Sequence, residues 1–169
     1  MEYIGLLRAV NVGGTGKLPM TELKVMCEAA GFKRVRTYIA SGNVVFQSAK
    51  TEAQVKATLE AALAKYAGKP VGVMVRTAAE MAAILARNPF TQMPGNLTVA
   101  IFLDEPPAAD ALETISNRKN EEIQVGLREF YVYYPEGQGN SRLKLPAAKN
   151  GTARNMNTVA TLAEMAANL

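Results

Sequence analysis

The chain has 169 residues, 49% hydrophobic and 20% charged, the balance of an ordinary globular protein long enough for one domain or two small packed halves. It contains no histidine and one cysteine, Cys27, which excludes an intrachain disulfide, removes the commonest general base and would leave zinc to carboxylates alone. The net charge of +4 suits an anionic partner without demanding one, and no stretch approaches the roughly 20 apolar residues of a membrane span.

The N-terminus carries Glu2 where a signal peptide would carry bases, and its apolar run stops at Arg8, so a cytoplasmic protein is expected. Residues 3–7 are apolar on both alternating faces, the pattern of a central strand. A glycine-rich loop follows. Met20, Leu23, Cys27 and Ala30 then recur at helical spacing, after Pro19 and before Gly31. This places Cys27 in the core. Residues 33–39 and 43–47 read as a hairpin around Ala40-Ser41-Gly42. Residues 51–67 form an amphipathic helix that Gly68 ends, and residues 71–75 form a strand. Residues 1–76 therefore spell βαββαβ, the ferredoxin-like order.

The second half repeats that outline. Thr77 caps a helix through Met81, Ile84 and Leu85. Residues 97–103 form a strand, Ala111, Leu112 and Ile115 a short helix, and residues 121–125 and 130–134 a hairpin around Gly126. A long loop, residues 135–151, leads to a helix that opens in residues 150–158 and ends at Leu169. The expected fold is α+β: two ferredoxin-like βαββα repeats, residues 1–76 and 77–169, packed as one compact unit.

Two polar stretches stand out as candidate sites. In split-βαβ topology the end of the first strand, the start of the first helix and the turn between strands two and three share one edge of the sheet. That edge gathers Arg8, Asn11, Gly13, Gly14, Lys17, Ser41, Gly42 and Asn43. Glycines let backbone N–H groups turn toward an anion, a helix N-terminus adds partial positive charge, and Arg8 and Lys17 add full charges. A phosphate site is the specific reading; the plainer alternative is a loop with Arg8 paired to a neighbouring carboxylate. Gly16-Lys17 is not the end of a P-loop, because Asn11 stands at the leading glycine position and Leu18 where Ser or Thr would hold magnesium.

The second stretch is residues 150–158. Arg154, Asn157, Thr158 and Thr161 fall at i, i+3, i+4 and i+7, one polar helical face, while Asn155 lies toward the apolar side as a cap or a buried hydrogen-bonded group. These residues would supply further donors to the same ligand, or simply cap and solvate the helix. The pairs Asp104-Glu105 and Glu121-Glu122 are weak metal candidates and read better as solvated carboxylates, so no metal and no cofactor are expected.

Read together, Leu6-Leu7-Arg8-Ala9-Val10-Asn11-Val12-Gly13-Gly14, Thr37-Tyr38-Ile39-Ala40-Ser41-Gly42-Asn43-Val44-Val45-Phe46 and Thr152-Ala153-Arg154-Asn155-Met156-Asn157-Thr158 resemble the bacterial domain of unknown function 1697 family. The family pattern has Gly-Ile where this chain has Ala9-Val10, and often Trp where it has Met156. The resemblance implies an α+β fold with ferredoxin-like repeats and no established activity. Its motif residues here are Arg8, Asn11, Gly13, Gly14, Ser41, Gly42, Asn43, Arg154, Asn155, Asn157 and Thr158. The expected function is binding of a phosphate-bearing ligand, a nucleotide or nucleic acid. The alternatives are a phosphoryl- or acyl-transfer enzyme using Arg8 and Arg154, and a protein-interaction module.

Overall fold

Strand β1, Glu2–Leu7, has Tyr3, Ile4, Gly5, Leu6 and Leu7 all buried, because it lies between β3 (Asn43–Gln47) and β4 (Val73–Thr77) in a sheet whose edge is β2 (Lys33–Tyr38), in the order β2-β3-β1-β4. The computed structural model describes residues 1–11 and 17–169. The chain divides into two units, residues 1–82 with 161–169, and residues 83–160. Each holds one four-stranded antiparallel sheet, and with four α-helices the described residues make a mixed α+β fold.

In the first unit β1 is followed by α1 (Met20–Ala29), β2 (Lys33–Tyr38), β3 (Asn43–Gln47), α2 (Glu52–Ala67) and β4 (Val73–Thr77). Thr51 and Gln54 cap α2 reciprocally: Gln54 N–H donates to Thr51 Oγ1 at 3.2 Å and Thr51 N–H to Gln54 Oε1 at 3.0 Å. Gly68, left-handed at φ 73°, ends the helix and donates its N–H to Ala64. Tyr3, Leu7, Val44 and Phe46 of the sheet pack with Leu23 and Cys27 of α1 and with Leu59 and Leu63 of α2. Phe32 stacks on Phe46 with ring centroids 4.3 Å apart. The edge strand β2 carries exposed Lys33, Arg34 and Arg36 and a register shift, which discourages pairing with another chain. β4 runs two residues later than the 71–75 expected from sequence, which brings Arg76 into the strand. Helix α3 is Ala78–Ala86, and Thr77 caps it: Glu80 N–H donates to Thr77 Oγ1 at 3.1 Å.

The second unit contains β5 (Thr98–Phe102), β6 (Glu122–Val125), β7 (Glu129–Tyr133) and β8 (Thr152–Asn155), in the order β6-β7-β5-β8. Two expectations are corrected. The short helix at residues 111–115 is a 3-10 turn, Ala111–Thr114, in which the Thr114 hydroxyl donates to the Ala111 carbonyl and competes with helical bonding. Residues 152–155, expected to open the last helix, are a fourth strand; α4 begins only at Met156 and runs to Ala167.

The two sheets share register as well as order. Leu7 N–H donates to the Gly42 carbonyl at 2.8 Å, and Leu103 N–H to the Arg128 carbonyl at 2.9 Å. Ile4 pairs with Val45 and Arg76; Ala100 pairs with Tyr131 and Arg154. Leu6 faces Asn43 as Phe102 faces Glu129.

Candidate functional site

Where β1 ends, two backbone bonds hold the departing chain: Leu7 N–H to the Gly42 carbonyl and Arg8 N–H to the Gly72 carbonyl, both at 2.8 Å. The connection from α2 to β4 is fixed from its far side. Val73 donates its N–H to Glu60 Oε2 at 3.0 Å and accepts from Lys56 Nζ at 2.6 Å, while Lys56 and Glu60 pair at 3.0 Å. Between these segments lies a cavity of about 570 Å³. Arg8, Lys17 and Lys69 line it with Tyr66, Leu18 and Val71, and no carboxylate is among the described lining residues. Lys69 and Tyr66 were missed as candidates from sequence: Tyr66 lies in the last turn of α2, and Lys69 follows the left-handed Gly68 that ends it.

Asn11 ties the backbone at Leu18 to the backbone at Ala40. Its Nδ2 donates to the carbonyls of Leu18 and Ala40, each at 2.8 Å, and its Oδ1 accepts from Leu18 N–H at 2.6 Å. Both ends of its amide thus hold backbone. Asn43 is fully buried and its Nδ2 donates to the Tyr38 carbonyl and to Ser41 Oγ, both at 2.9 Å, which fixes the hairpin turn. Gly42 is buried at φ +90°, where an added Cβ would lie 2.6 Å from Val10 Cγ2 and 2.8 Å from Leu7 Cβ. Ala9, Asn11 and Ile39 adopt φ of 55°, 56° and 48°. Asn adopts this region readily, whereas at Ala9 and Ile39 the surrounding structure must impose it; Arg34 and Asn117 adopt it elsewhere in the chain. Gly13 and Gly14 lie outside the described residues.

The second candidate cluster belongs to the second unit. Arg154 is on β8 and buried, so it is not part of the polar helical face read from sequence. Its Nη1 donates to Thr152 Oγ1 at 2.7 Å and to the Ala153 carbonyl at 2.9 Å. Burial lowers its pKa to about 10, and it stays charged at neutral pH. Asn155 caps α4 by accepting from Thr158 N–H at 2.9 Å, and Thr158 itself is buried. The Asn157 amide occupies the space a Cβ on Gly95 would need. Arg76 is the counterpart of Arg154 on the first sheet: it is 1% exposed, and its Nη1 donates to the Val75 carbonyl at 2.9 Å. Its signal in the sequence was a lone charge closing the apolar run Val73-Met74-Val75.

Glu121 was a weak metal candidate. Ser141 Oγ donates to its Oε2 at 2.6 Å and Lys119 N–H to its Oε1 at 2.7 Å, and these bonds hold its pKa down to about 2. Among the described residues no group of three or more His, Cys, Asp or Glu could hold a metal ion, and no helix is long and apolar enough to cross a membrane.

These features define an α+β protein of two like-ordered antiparallel sheets, the first with a cation-lined cleft where its central strand ends. The chain belongs to the family described as "Protein of unknown function (DUF1697)", which matches residues 1–132. The match spans the two N-terminal motif stretches and ends before residues 152–158. Among solved structures the chain is similar to a conserved bacterial protein, SP0830, from Streptococcus pneumoniae, with 25% identity, 97% of each chain covered and a TM-score of 0.78. Comparison with curated proteins gives no match.

Proposed function

We propose that the protein binds a small phosphate-bearing ligand in the cleft of its first unit. The observation that carries this reading is the gathering of Arg8, Lys17 and Lys69 around one cavity. Charge distribution supports it. The first unit holds eleven Lys and Arg against seven Glu, whereas the second holds eight basic and eight acidic residues. The net positive charge of the chain therefore resides in the unit with the cleft, where it raises the local concentration of anions. The N-terminal end of α1 and the C-terminal end of α2 both approach the cleft, and their dipoles oppose, so the side chains carry the attraction.

For the architecture we infer two ferredoxin-like repeats, residues 1–76 and 77–169; the shared strand order and matched register support it. Nucleic-acid readers of this topology stack bases on the sheet face away from the helices. Here that face of the first sheet carries Ile4, Leu6, Val45 and Met74, all buried. This favours a small ligand over a polynucleotide. Binding is favoured over phosphoryl or acyl transfer because the described lining supplies cations and one phenol but no carboxylate or imidazole to act as base.

Calorimetric titration of the chain with pyrophosphate and with nucleoside mono- and diphosphates tests the reading. Binding with shallow salt dependence is expected, weakened about tenfold by Arg8→Ala, the effect of removing one charge-assisted contact. Absence of binding by every phosphorylated probe, or indifference to Arg8→Ala, would rule it out.

A further inference from the structure

The cleft has a second chemical character besides its charge. Tyr66 is 47% exposed, although it is a large aromatic on a helix whose other apolar residues Val55, Leu59 and Leu63 are buried. It faces the cleft with Pro70, Val71 and Leu18, so an apolar wall stands beside the three cations. A bare phosphate has no use for such a wall. The cavity, about 570 Å³, lies within the roughly 300–1,000 Å³ of pockets that enclose a whole organic ligand. The described lining also lacks Asn, Gln, Ser, Thr, Asp and Glu side chains. Sugar hydroxyls and the hydrogen-bonding edge of a base are commonly read by those groups. An apolar surface beside positive charge is the complement of a ring that carries a phosphate.

Resting on the reading of the cleft as a phosphate site, we propose that its ligand is a nucleoside phosphate, held with its base against Tyr66 and Pro70 and its phosphate among Arg8, Lys17 and Lys69, and selected for the presence of the ring more than for the identity of the base. Stacking on an aromatic face is tolerant of base type because every base has a π-face.

The test is a ladder of probes titrated into the full chain by calorimetry: pyrophosphate, ribose 5-phosphate, adenosine, AMP, GMP and UMP, each also with Tyr66→Leu and Tyr66→Phe. Tyr66 is half exposed, so neither variant disturbs the core. AMP, GMP and UMP are expected to bind within a few-fold of one another and about tenfold or more tighter than ribose 5-phosphate. Tyr66→Leu should bring AMP down to the ribose 5-phosphate level, and Tyr66→Phe should preserve the difference. If ribose 5-phosphate binds as well as AMP and Tyr66→Leu changes neither, the ring subsite is refuted and the phosphate site stands. If adenosine binds as well as AMP and Arg8→Ala is silent, the phosphate site is refuted. A preference of a hundredfold or more for one base would overturn selection by ring alone.

Discussion

Gly42→Ala probes the seating of the hairpin turn on the end of β1. Two effects add. Alanine at φ +90° leaves its favoured backbone regions, at a cost of about 1–2 kcal/mol. Its Cβ would also sit 2.8 Å from Leu7 Cβ and 2.6 Å from Val10 Cγ2. Leu7 cannot recede, because its N–H is bonded to the Gly42 carbonyl at 2.8 Å, and Val10 is itself buried. Overpacking of this kind costs about 1–3 kcal/mol, so the expected loss is about 2–5 kcal/mol. Gly31→Ala is the control: Gly31 has φ +88° with nothing within 4 Å of an added Cβ, so only the backbone cost, about 1–2 kcal/mol, should appear. Urea unfolding of the three proteins gives both values from midpoint and slope. Equal losses for Gly42→Ala and Gly31→Ala would refute the close seating of the turn on β1.

Ala9→Gly should stabilise the chain by about 0.5–1 kcal/mol, because Ala9 holds φ 55° and glycine adopts it without strain; a loss in urea unfolding would contradict the strain. Glu121 has a folded pKa of about 2, below its ordinary 4.5, so its contribution to stability is full above about pH 4.5 and disappears as pH falls through about 2. Ser141→Ala removes the largest cause of that depression and should raise the Glu121 pKa in an NMR titration; an unmoved pKa would discount the hydrogen bond. The Cys27 thiol is buried and its pKa is pushed up to about 12 by burial, so a thiol reagent should modify it only as the chain unfolds, and rapid labelling of the native protein would be inconsistent with its place in the core. Asn155→Ala should cost about 1 kcal/mol in thermal unfolding through loss of the cap on α4.

Elements with strong periodicity were legible in the sequence. β1 declared itself by two apolar faces, and α2 by its stripe, Thr51 at one end and Gly68 at the other. β8 was not legible. Thr152-Ala153-Arg154-Asn155 holds no large apolar residue, it is four residues long, and it enters α4 without an intervening turn. The spacing of Arg154, Asn157 and Thr158 also fits a helix, so local pattern favoured one continuous helix. Only pairing with β5, fifty residues away in sequence, decides the matter. The cleft was half legible: Arg8 and Lys17 announced it, whereas Tyr66 and Lys69 come from the end of α2, where an amphipathic pattern says only which face is buried.

The matched register of the two sheets picks out polar residues that both sheets use to maintain the fold. Asn43 and Glu129 occupy the same place, both are buried, and both hold hairpin turns: Asn43 binds the Tyr38 carbonyl and Ser41, and Glu129 accepts from the N–H groups of Leu127 and Arg128. Arg76 and Arg154 likewise share a position, burial and a bond to the preceding carbonyl. The pairs share position and burial, although Asn43 donates where Glu129 accepts, so both sheets place a turn-holding polar group here. One residue past Leu7 and Leu103 the correspondence breaks: the first unit has Arg8-Ala9 where the second has Asp104-Glu105. Charge is inverted at the point where each central strand leaves its sheet. A group of negative charge would be attracted at Arg8 and repelled at Asp104, so it is at this point, and not in the shared turn and strand residues, that the two sheets differ in what they could attract.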